Sequence, residues 1–420
     1  MATKIKHTFI DLFAGCGGLS EGFLQSKRFE GLAHVEWELP MVDTLRNRLE
    51  KKWNHTSKNA LKRVIHFDIQ KTDELIDGDW SADSIKDYGS SNHNDVVMKG
   101  LKGLVGNKKV DLIIGGPPCQ AYSIAGRAQD KNSMQDDYRN YLFESFINVV
   151  SAFQPKMFVF ENVPGMLSAA PGGVPVTHRV YKAFNDAGYT IKKSENLNEV
   201  VFTATNFGVP QKRNRVILIG VKKGSDYELE SIYSAIRQMA LKTTTRTVKD
   251  AIGELSAFIP LDAPIKKNGR NISHVPLSNE SDDIHHTPRY HNTRDVTIFR
   301  DWIVKDMNKK SMAEKINFYN TLLNKRSNHA KYRNLEWDKP SPTIVAHLYK
   351  DGLMFIHPDK NQARSLTVRE AALLQSFPEN YEFIGSQGYC YKMIGNAVPP
   401  QMACTIAKGI SSVLEQQAVS

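Results

Sequence analysis

The segment HTFIDLFAGCGGLSEGF, residues 7–23, contains the first turn from a strand into a helix. Its first seven residues have a strand-like pattern, and the spacing from Leu19 onward predicts a helix. Between them, Gly15, Gly17 and Gly18 allow a tight turn in which a ligand can approach the backbone closely. This unit indicates an α/β protein, because the same order of elements recurs along the first half of the chain.

Strand-like and helix-like segments alternate through the first 220 residues. Further strands are predicted at residues 32–37, 64–68, 110–114, 157–162 and 215–220. Helices are predicted at residues 19–29, 41–53, 139–153 and 177–189. The alternation predicts a doubly wound, mostly parallel sheet, with the active site at the carboxyl ends of its strands.

The alternation ends after residue 220, and the composition changes there. Residues 221–360 contain 23 Lys and Arg against 17 Asp and Glu, and seven of the 13 His. Such a segment fits a solvated, loop-rich domain, and it also fits a surface that reads nucleic acid. We expect residues 1–220 and 391–420 to form one domain, and residues 221–390 to form a smaller, irregular domain with a hinge.

The composition of the whole chain narrows the class of protein. The 420 residues carry a formal net charge of +10, with 41% hydrophobic and 24% charged residues. No apolar run is long enough for a membrane span, and the N-terminus lacks the layout of a signal peptide. Four scattered cysteines predict neither a disulfide framework nor a structural zinc site. We therefore expect a reduced, cytoplasmic protein without a metal; the charge alone leaves a nucleic-acid partner open.

Two carboxylates follow the glycine turn at the ends of successive predicted strands. Glu36 lies about 20 residues after the turn, where a carboxylate can hold the ribose hydroxyls of a dinucleotide-type ligand. Asp68 ends the third strand. The turn alone is also explained by packing, but the ordered set indicates a cofactor that contains adenosine. Because the turn has the form FxGxG and not GxGxxG, S-adenosylmethionine is favoured over NAD.

Cys119 lies in GGPPCQ, residues 115–120, directly after a predicted strand. A single cysteine is usually an apolar filler of the core. Here Pro117 and Pro118 restrict the approaching backbone, and a polar segment follows, which is typical of a nucleophile. Cys16 and Cys404 have no such surroundings and are assigned to packing, whereas Cys390 is left undecided.

Further charged groups follow at later strand ends. Glu161 is the next-to-last residue of the predicted strand 157–162, where it can act as an acid or a hydrogen-bond acceptor, although a capping role fits equally well. Arg213 and Arg215 in QKRNR are two residues apart and therefore on one face of an extended segment. Two guanidinium groups suit a phosphate or a developing oxyanion, although most such strings are only solvated.

Taken together, these blocks resemble the cytosine-5 DNA methyltransferase family of bacterial modification methylases. The resemblance covers the sheet domain and the C-terminal tail. The blocks follow the family order: DLFAGCGG (11–18), EW (36–37), DI (68–69), GGPPCQ (115–120), ENV (161–163), QKRNR (211–215), RSLTVREAALLQSFP (364–378) and IGNAVPP (394–400). Residues 221–360 match no pattern, which agrees with the target-recognition region of this family, since that region differs between members.

The resemblance implies a Rossmann-like methyltransferase fold and a role for each matched residue. Cys119 is implied as the nucleophile, Glu161 as the group that contacts the target base, and Arg213 and Arg215 as support for the reaction centre. The residues implied to bind S-adenosylmethionine are Phe13, Gly15, Gly17, Glu36, Trp37, Asp68, Ile69, Asn396 and Val398.

The resemblance also implies a reaction and its partners. A thiolate adds to carbon 6 of cytosine, carbon 5 takes the methyl group, and the base must leave the duplex to be reached. Double-stranded DNA is the expected substrate, and a cognate restriction endonuclease is an expected partner. The protein is expected to be a monomer.

Three alternatives remain at this point. An RNA-directed cytosine-5 methyltransferase is expected to lack a long recognition region. A catalytically inert relative is expected to have lost the Cys, Glu or Arg, and none is lost here. An NAD dehydrogenase has no role for the Pro-Pro-Cys turn.

Overall fold

The computed structural model describes residues 6–118, 142–278 and 283–416. The chain divides into two compact units. The first is formed by Met1–Gly208, Arg213–Thr244 and Ala397–Ser420, and the second by Val209–Lys212 and Thr245–Asn396.

Twelve strands occur in these described ranges. In chain order they are β1 (His7–Leu12), β2 (Phe29–Glu36), β3 (Val64–His66), β4 (Leu112–Gly115), β5 (Met157–Asn162), β6 (Tyr189–Thr190), β7 (Val201–Thr203), β8 (Gln211–Lys212), β9 (Asn214–Lys222), β10 (Phe258–Lys267), β11 (Arg270–Pro276) and β12 (Ser341–Pro342).

The α-helices of the described residues lie between these strands and after them. They are α1 (Gly18–Gln25), α2 (Leu39–Lys51), α3 (Ser57–Arg63), α4 (Thr72–Asp77), α5 (Ala82–Tyr88), α6 (Asn94–Val105), α7 (Leu142–Phe153), α8 (Val176–Asp186), α9 (Leu229–Ala240), α10 (Val248–Ile252), α11 (Thr293–Val304), α12 (Met312–Leu323), α13 (Val368–Leu374), α14 (Gln387–Asn396) and α15 (Pro400–Gln416). None of them is long and apolar enough to cross a membrane.

The first unit is built on an eight-stranded sheet with the order β3-β2-β1-β4-β5-β9-β6, in which β7 also pairs with β9. The pairs from β3 to β5 are parallel, and β9 runs antiparallel to its neighbours. The predicted mostly parallel α/β sheet is therefore confirmed. Its interior strands are apolar on both faces because helices cover both sides. In β4, Leu112, Ile113 and Ile114 are fully buried.

The register aligns the carboxyl ends of three strands. Leu12 of β1 pairs with Gly115 of β4, and Gly115 pairs with Phe160 of β5. The residues that follow these strands therefore meet at one edge of the sheet. One predicted boundary is wrong here: β3 ends at His66 and not at residue 68, so Asp68 comes two residues after the strand.

Two glycines let α1 approach the C-terminal segment of the first unit. A methyl group on Gly18 would collide with the backbone carbonyl of Val398, and one on Gly22 would collide with Ala403. Only glycine fits at these two positions without a shift of the backbone. The close approach brings Val398 beside the start of α1.

The second unit contains regular elements where the sequence predicted irregular structure. The antiparallel strands β10 and β11 form a hairpin, and α11 and α12 contribute to a small core around Trp302. In another part of this unit, the fully buried Arg364 makes two short hydrogen bonds to Glu370, of 2.7 Å and 2.6 Å. Thr367 and Glu370 form a capping box at the start of α13.

Candidate active site

The glycine turn after β1 holds strained backbone at the edge of the sheet. Gly15 and Gly17 have φ angles of 56° and 89°, which glycine adopts readily. Phe13 also has a positive φ, of 58°, which is uncommon for a residue with a side chain. Such strain persists where the surroundings enforce it, and it concentrates at ligand sites.

Glu36 fixes this turn with its carboxylate. Its Oε2 accepts a hydrogen bond from the backbone N–H of Gly15 at 2.8 Å, and its Oε1 accepts from the N–H groups of Trp37 and Glu38, both at 2.9 Å. Burial raises the pKa of Glu36, while these N–H donors lower it and only partly offset the burial. A carboxylate has about four acceptor positions, so the three bonds leave one for a ligand hydroxyl.

Trp37 follows Glu36 directly, and its side chain is half exposed, with 50% of its surface accessible. Its backbone carbonyl lies 2.9 Å from Nε2 of His66, which is the register partner of Glu36 in the sheet. A large aromatic ring at an open strand end offers a flat apolar surface to a ligand. Trp37 therefore offers such a surface directly after the end of β2.

The next two predicted cofactor residues follow β3. Asp68 is partly exposed and accepts a hydrogen bond from the backbone N–H of Gln70 at 3.0 Å, while Ile69 is buried. They come two and three residues after the strand that pairs with β2. Asp68 therefore keeps acceptor capacity at the same edge of the sheet as Glu36.

The two C-terminal residues predicted for the cofactor occupy different places in the fold. Asn396 is the last residue of α14, in the second unit. Val398 is buried in the first unit, where its carbonyl borders Gly18.

These residues fit an adenosine-type cofactor. A methyl group built on Gly15 would meet nothing closer than Sδ of Met41, at 4.0 Å, so the turn is open towards a ligand. The buried carboxylate of Glu36 offers an acceptor for a ribose, and the exposed indole of Trp37 offers a surface for a base. The open glycine turn leaves room for the chain of the cofactor. Among the described residues no cluster of His, Cys, Asp and Glu suited to a metal is found.

A second group of charged residues lies at the end of β5. Oε1 of Glu161 is 2.7 Å from Nε of Arg215, and both side chains are nearly buried. Burial raises the pKa of Glu161, and the charges of Arg215 and Arg213 lower it without cancelling that effect. Glu161 is therefore a carboxyl group that can take up a proton more readily than one in water.

The two arginines differ in exposure although they are two residues apart. Arg213 is only 1% exposed, and its carbonyl accepts a hydrogen bond from the N–H of Ala204 at 2.8 Å. Arg215 is intermediate, and its Nη1 donates to the carbonyl of Asn214 at 2.7 Å. Nε of Arg215 pairs with Oε1 of Glu161, so Arg215 orients this carboxylate.

The segment that leads from β4 towards Cys119 passes beside the same carboxylate. A methyl group on Gly116 would lie 2.5 Å from Oε2 of Glu161, so a side chain at this position would displace the carboxylate. Pro117 and Pro118 line a small cavity together with Phe160 and Asn162 of β5, among others. Cys119 itself and the polar segment 120–138 lie outside the described residues.

Sequence reasoning missed the residues that support this edge from behind. The side chain of Asn92 bonds both the N–H and the carbonyl of His66, at 3.0 Å and 2.8 Å, and Ser91 Oγ is 2.6 Å from Nδ1 of the same histidine. Both residues lie in the segment between β3 and β4. Single polar residues in such a segment carry no pattern that predicts a buried partner.

Of the assigned cysteines, Cys16 and Cys404 are buried, as packing requires. Cys390 is buried as well, and burial raises the pKa of its thiol to about 11. A thiol with so high a pKa is almost fully protonated at neutral pH and is not an active nucleophile.

Comparison with known proteins identifies relatives over nearly the whole chain. The model of the C-5 cytosine-specific DNA methylase family matches residues 7–79 and 84–412. The chain is 34% identical to the type II methyltransferase M.Bpa9945I of Bacillus paralicheniformis, over 96% of this chain and 98% of that protein. It is 30% identical to the type II methyltransferase M1.HphI of Haemophilus parahaemolyticus, over 96% and 86% of the two chains.

Solved structures show the same fold. A protein encoded within an E. coli prophage and described as a DNA modification methyltransferase superposes with a TM-score of 0.62 at 23% identity, covering 98% of this chain and all of that one. Dnmt2 methyltransferase of S. pombe superposes with a TM-score of 0.52 at 14% identity, covering 98% and 100%. At these identities the likeness supports the fold alone.

Proposed function

The chain belongs to the C-5 cytosine-specific DNA methylase family, and we propose that it methylates carbon 5 of a flipped-out cytosine in a specific duplex sequence, with S-adenosylmethionine as the donor and a covalent adduct on Cys119. The observation that carries this proposal is the Glu161–Arg215 pair at the end of β5, next to Gly116 on the path to Cys119. A nucleophile, a carboxyl group with a raised pKa and an oriented guanidinium are the groups that this reaction needs.

The nucleophile begins the reaction. Carbon 5 of cytosine is too poor a nucleophile to take a methyl group directly. The thiolate of Cys119 adds to carbon 6 and forms a C–S bond, which moves electron density towards carbon 5. A small error in the line of attack costs a large factor in rate, so the stiff Gly-Gly-Pro-Pro approach has a direct use.

Glu161 stabilises the electron density that builds up on the cytosine ring after the thiolate attacks carbon 6. A protonated Glu161 donates a hydrogen bond to ring nitrogen 3, and Arg215 holds the carboxyl group in place. Burial favours the protonated form, and the arginines keep the pKa from rising further. The balance suits a group that must hold a proton during one part of the cycle and release it afterwards.

The cofactor residues form the other half of the site. Bound S-adenosylmethionine supplies a methyl group made electrophilic by the sulfonium. Glu36 would accept hydrogen bonds from the ribose hydroxyls, Trp37 would lie against the adenine, and Asp68 and Ile69 would contact the adenine edge. Phe13, Gly15, Gly17 and Val398 would complete the binding set in the first unit. After methyl transfer the carbon-5 proton leaves to a base, for which water is proposed, and the thiol is expelled.

The partners follow from the relatives named above, which are type II methyltransferases. We propose double-stranded DNA as substrate, residues 221–390 as the target-recognition domain, and a cognate restriction endonuclease that cuts the same sequence. We propose that the enzyme acts as a monomer, since the chemistry on one base needs one copy. Its proposed location is the cytoplasm.

Bisulfite sequencing tests the function directly. DNA from a host that lacks cytosine methylation, expressing this chain, is expected to show 5-methylcytosine at one sequence motif. Purified protein is expected to methylate duplex DNA and to leave transfer RNA unmodified. Methylation of RNA alone, or no cytosine methylation by a folded protein, would overturn the proposal.

A further inference from the structure

The hairpin of β10 and β11 carries an exposed, positively charged tip. Its strands are joined by Asn268 and Gly269, with φ angles of 50° and 76°. Two residues with positive φ form the tight turn that matches the twist of antiparallel strands. Residues 262–271 are all exposed, so the outer half of the hairpin has solvent on both faces.

The inner half of the hairpin is fixed in the second unit. The N–H of Phe258 donates to Oε1 of Gln362 at 3.1 Å, and Nε2 of His274 lies 2.9 Å from the Gln362 carbonyl. Oγ of Ser273 accepts from the N–H of His291 at 3.0 Å. The base is therefore rigid and buried, and it holds the outer half at a defined position.

A two-stranded ribbon without a core behind it is marginally stable in water. The outer half nevertheless keeps its pairing up to Lys267 and Arg270, while exposing Ile265, whose side chain is 49% accessible. Three cations, Lys266, Lys267 and Arg270, surround the tip, against the single acid Asp262. These exposed apolar and basic side chains are complementary to a polyanion that also presents apolar groups.

The pairing defines the two faces of the ribbon. Ile265 pairs with Ile272, and Lys267 with Arg270, so these four side chains share one face. Lys266 and its partner Asn271 are on the opposite face. Within the described part of the chain, neither Arg270 nor Lys266 forms an ion pair, so both charges are available to a ligand.

We propose that the outer half of the β10–β11 hairpin enters the major groove of the target DNA, with Arg270 reading a guanine edge and Lys266 contacting a phosphate. The inference rests on the proposed function and assigns its target recognition to one element. The major groove admits a two-stranded ribbon, arginine pairs with O6 and N7 of guanine, and an apolar side chain such as Ile265 contacts a thymine methyl group.

The experiment compares variants of the full-length protein expressed in the methylation-free host. Bisulfite sequencing first gives the native motif. Arg270→Ala is expected to relax the motif at one base pair, by about 5- to 150-fold in discrimination. Lys266→Ala is expected to weaken binding equally for all duplexes and to lower the slope of log affinity against log salt by about 0.9.

Arg326→Ala is the matched control, because it removes an exposed arginine of the same unit that is not on the hairpin. It is expected to leave the motif unchanged. Binding of each variant is measured with the native duplex and with duplexes changed at single base pairs, and cofactor affinity reports on folding.

Two results overturn the inference. One is an unchanged motif for Arg270→Ala with cofactor affinity intact. The other is an equal loss of binding to all duplexes, which would assign Arg270 to the DNA backbone. If the native protein methylates no cytosine, the proposed function fails instead, so the two failures are distinct.

Discussion

Nε of Arg215 lies 2.7 Å from Oε1 of Glu161, and this ion pair is nearly buried at the edge of the sheet. Burial and the arginine act on Glu161 in opposite directions: burial raises its pKa, whereas Arg215 and Arg213 lower it. The register of β5 against β9 sets the pair, because Glu161 is opposite Ile217, two residues from Arg215. The fold thus gives the carboxyl group a tuned proton affinity.

The first prediction concerns the pH dependence of methylation. If protonated Glu161 acts on the base, the rate is lost as pH rises through its pKa. Arg215→Ala removes the charge that lowers this pKa, so the slower variant is expected to keep its remaining rate to higher pH than the native enzyme. Single-turnover methylation against pH measures the midpoint.

Glu161→Gln is the companion variant. It is expected to slow the reaction about 10²- to 10⁴-fold and to abolish this pH-dependent limb. A midpoint that does not move in Arg215→Ala would mean that Glu161 does not titrate in the rate-limiting step.

The second prediction concerns Glu36 and the cofactor. The native Glu36 carboxylate binds the turn and has one acceptor position left for a ribose hydroxyl. Glu36→Ala removes both interactions. S-adenosylmethionine affinity is expected to fall about 10- to 150-fold, with DNA binding largely intact. Asp73→Asn, which removes an exposed carboxylate of α4, is the control. Unchanged affinity of Glu36→Ala in calorimetric titration would exclude Glu36 from the site.

The third prediction concerns the packing of α1. Gly18→Ala forces a methyl group against the Val398 carbonyl, and overpacking of this kind costs about 1–3 kcal/mol. Gly388→Ala is the control, because nothing lies within 4 Å of its added methyl group and alanine favours a helix. Urea denaturation is expected to show a loss for Gly18→Ala and no loss for Gly388→Ala. Equal stabilities would refute the close approach.

The fourth prediction concerns buried histidines of the second unit. Burial lowers the pKa of His274 to about 4 and the pKa values of His291 and His357 to about 3. In the unfolded chain these rings take up protons near pH 6.5, so their contribution to stability is full above that pH. It is lost as pH falls below 6.5, by up to about 1.4 kcal/mol per pH unit for each ring.

Hydrogen exchange of α11 and α13 between pH 7.5 and pH 5 measures this loss once intrinsic exchange rates are corrected. Asp11, whose pKa burial raises to about 7, acts in the opposite direction but belongs to the first unit. His357→Gln is expected to reduce the slope, whereas His329→Gln, which removes an exposed ring, is expected to leave it unchanged. A pH-independent opening free energy in the native protein would contradict the prediction.

The sheet was predictable because its strands are buried on both faces and therefore appear as apolar runs. The hairpin of β10 and β11 was missed for the opposite reason: its outer half is exposed, so no apolar alternation marks it. The Asn268–Gly269 turn was the available sign. The helix α12 was likewise missed, although Ser311 and Glu314 form a capping box at its start.

The part of the site that consists of residues at strand ends was predictable from the sequence. Glu36 and Glu161 were identified because each lies at or next to the carboxyl end of a strand. The sequence could not show that Glu36 binds the N–H of Gly15, or that Gly116 leaves room for Glu161, because both depend on contacts between separate strands. Their roles in catalysis and binding stay predictions.

Covalent trapping tests the central proposal most directly. A duplex with 5-fluorocytosine at the target position blocks loss of the carbon-5 substituent after attack. With S-adenosylmethionine present, the native enzyme is expected to form an adduct at Cys119 that survives denaturation and adds the mass of the methylated duplex strand. Cys119→Ser is expected to bind the duplex and the cofactor but to form no adduct and to lose nearly all methyl transfer. An adduct on another residue, or methylation by Cys119→Ser at close to the native rate, would contradict the account.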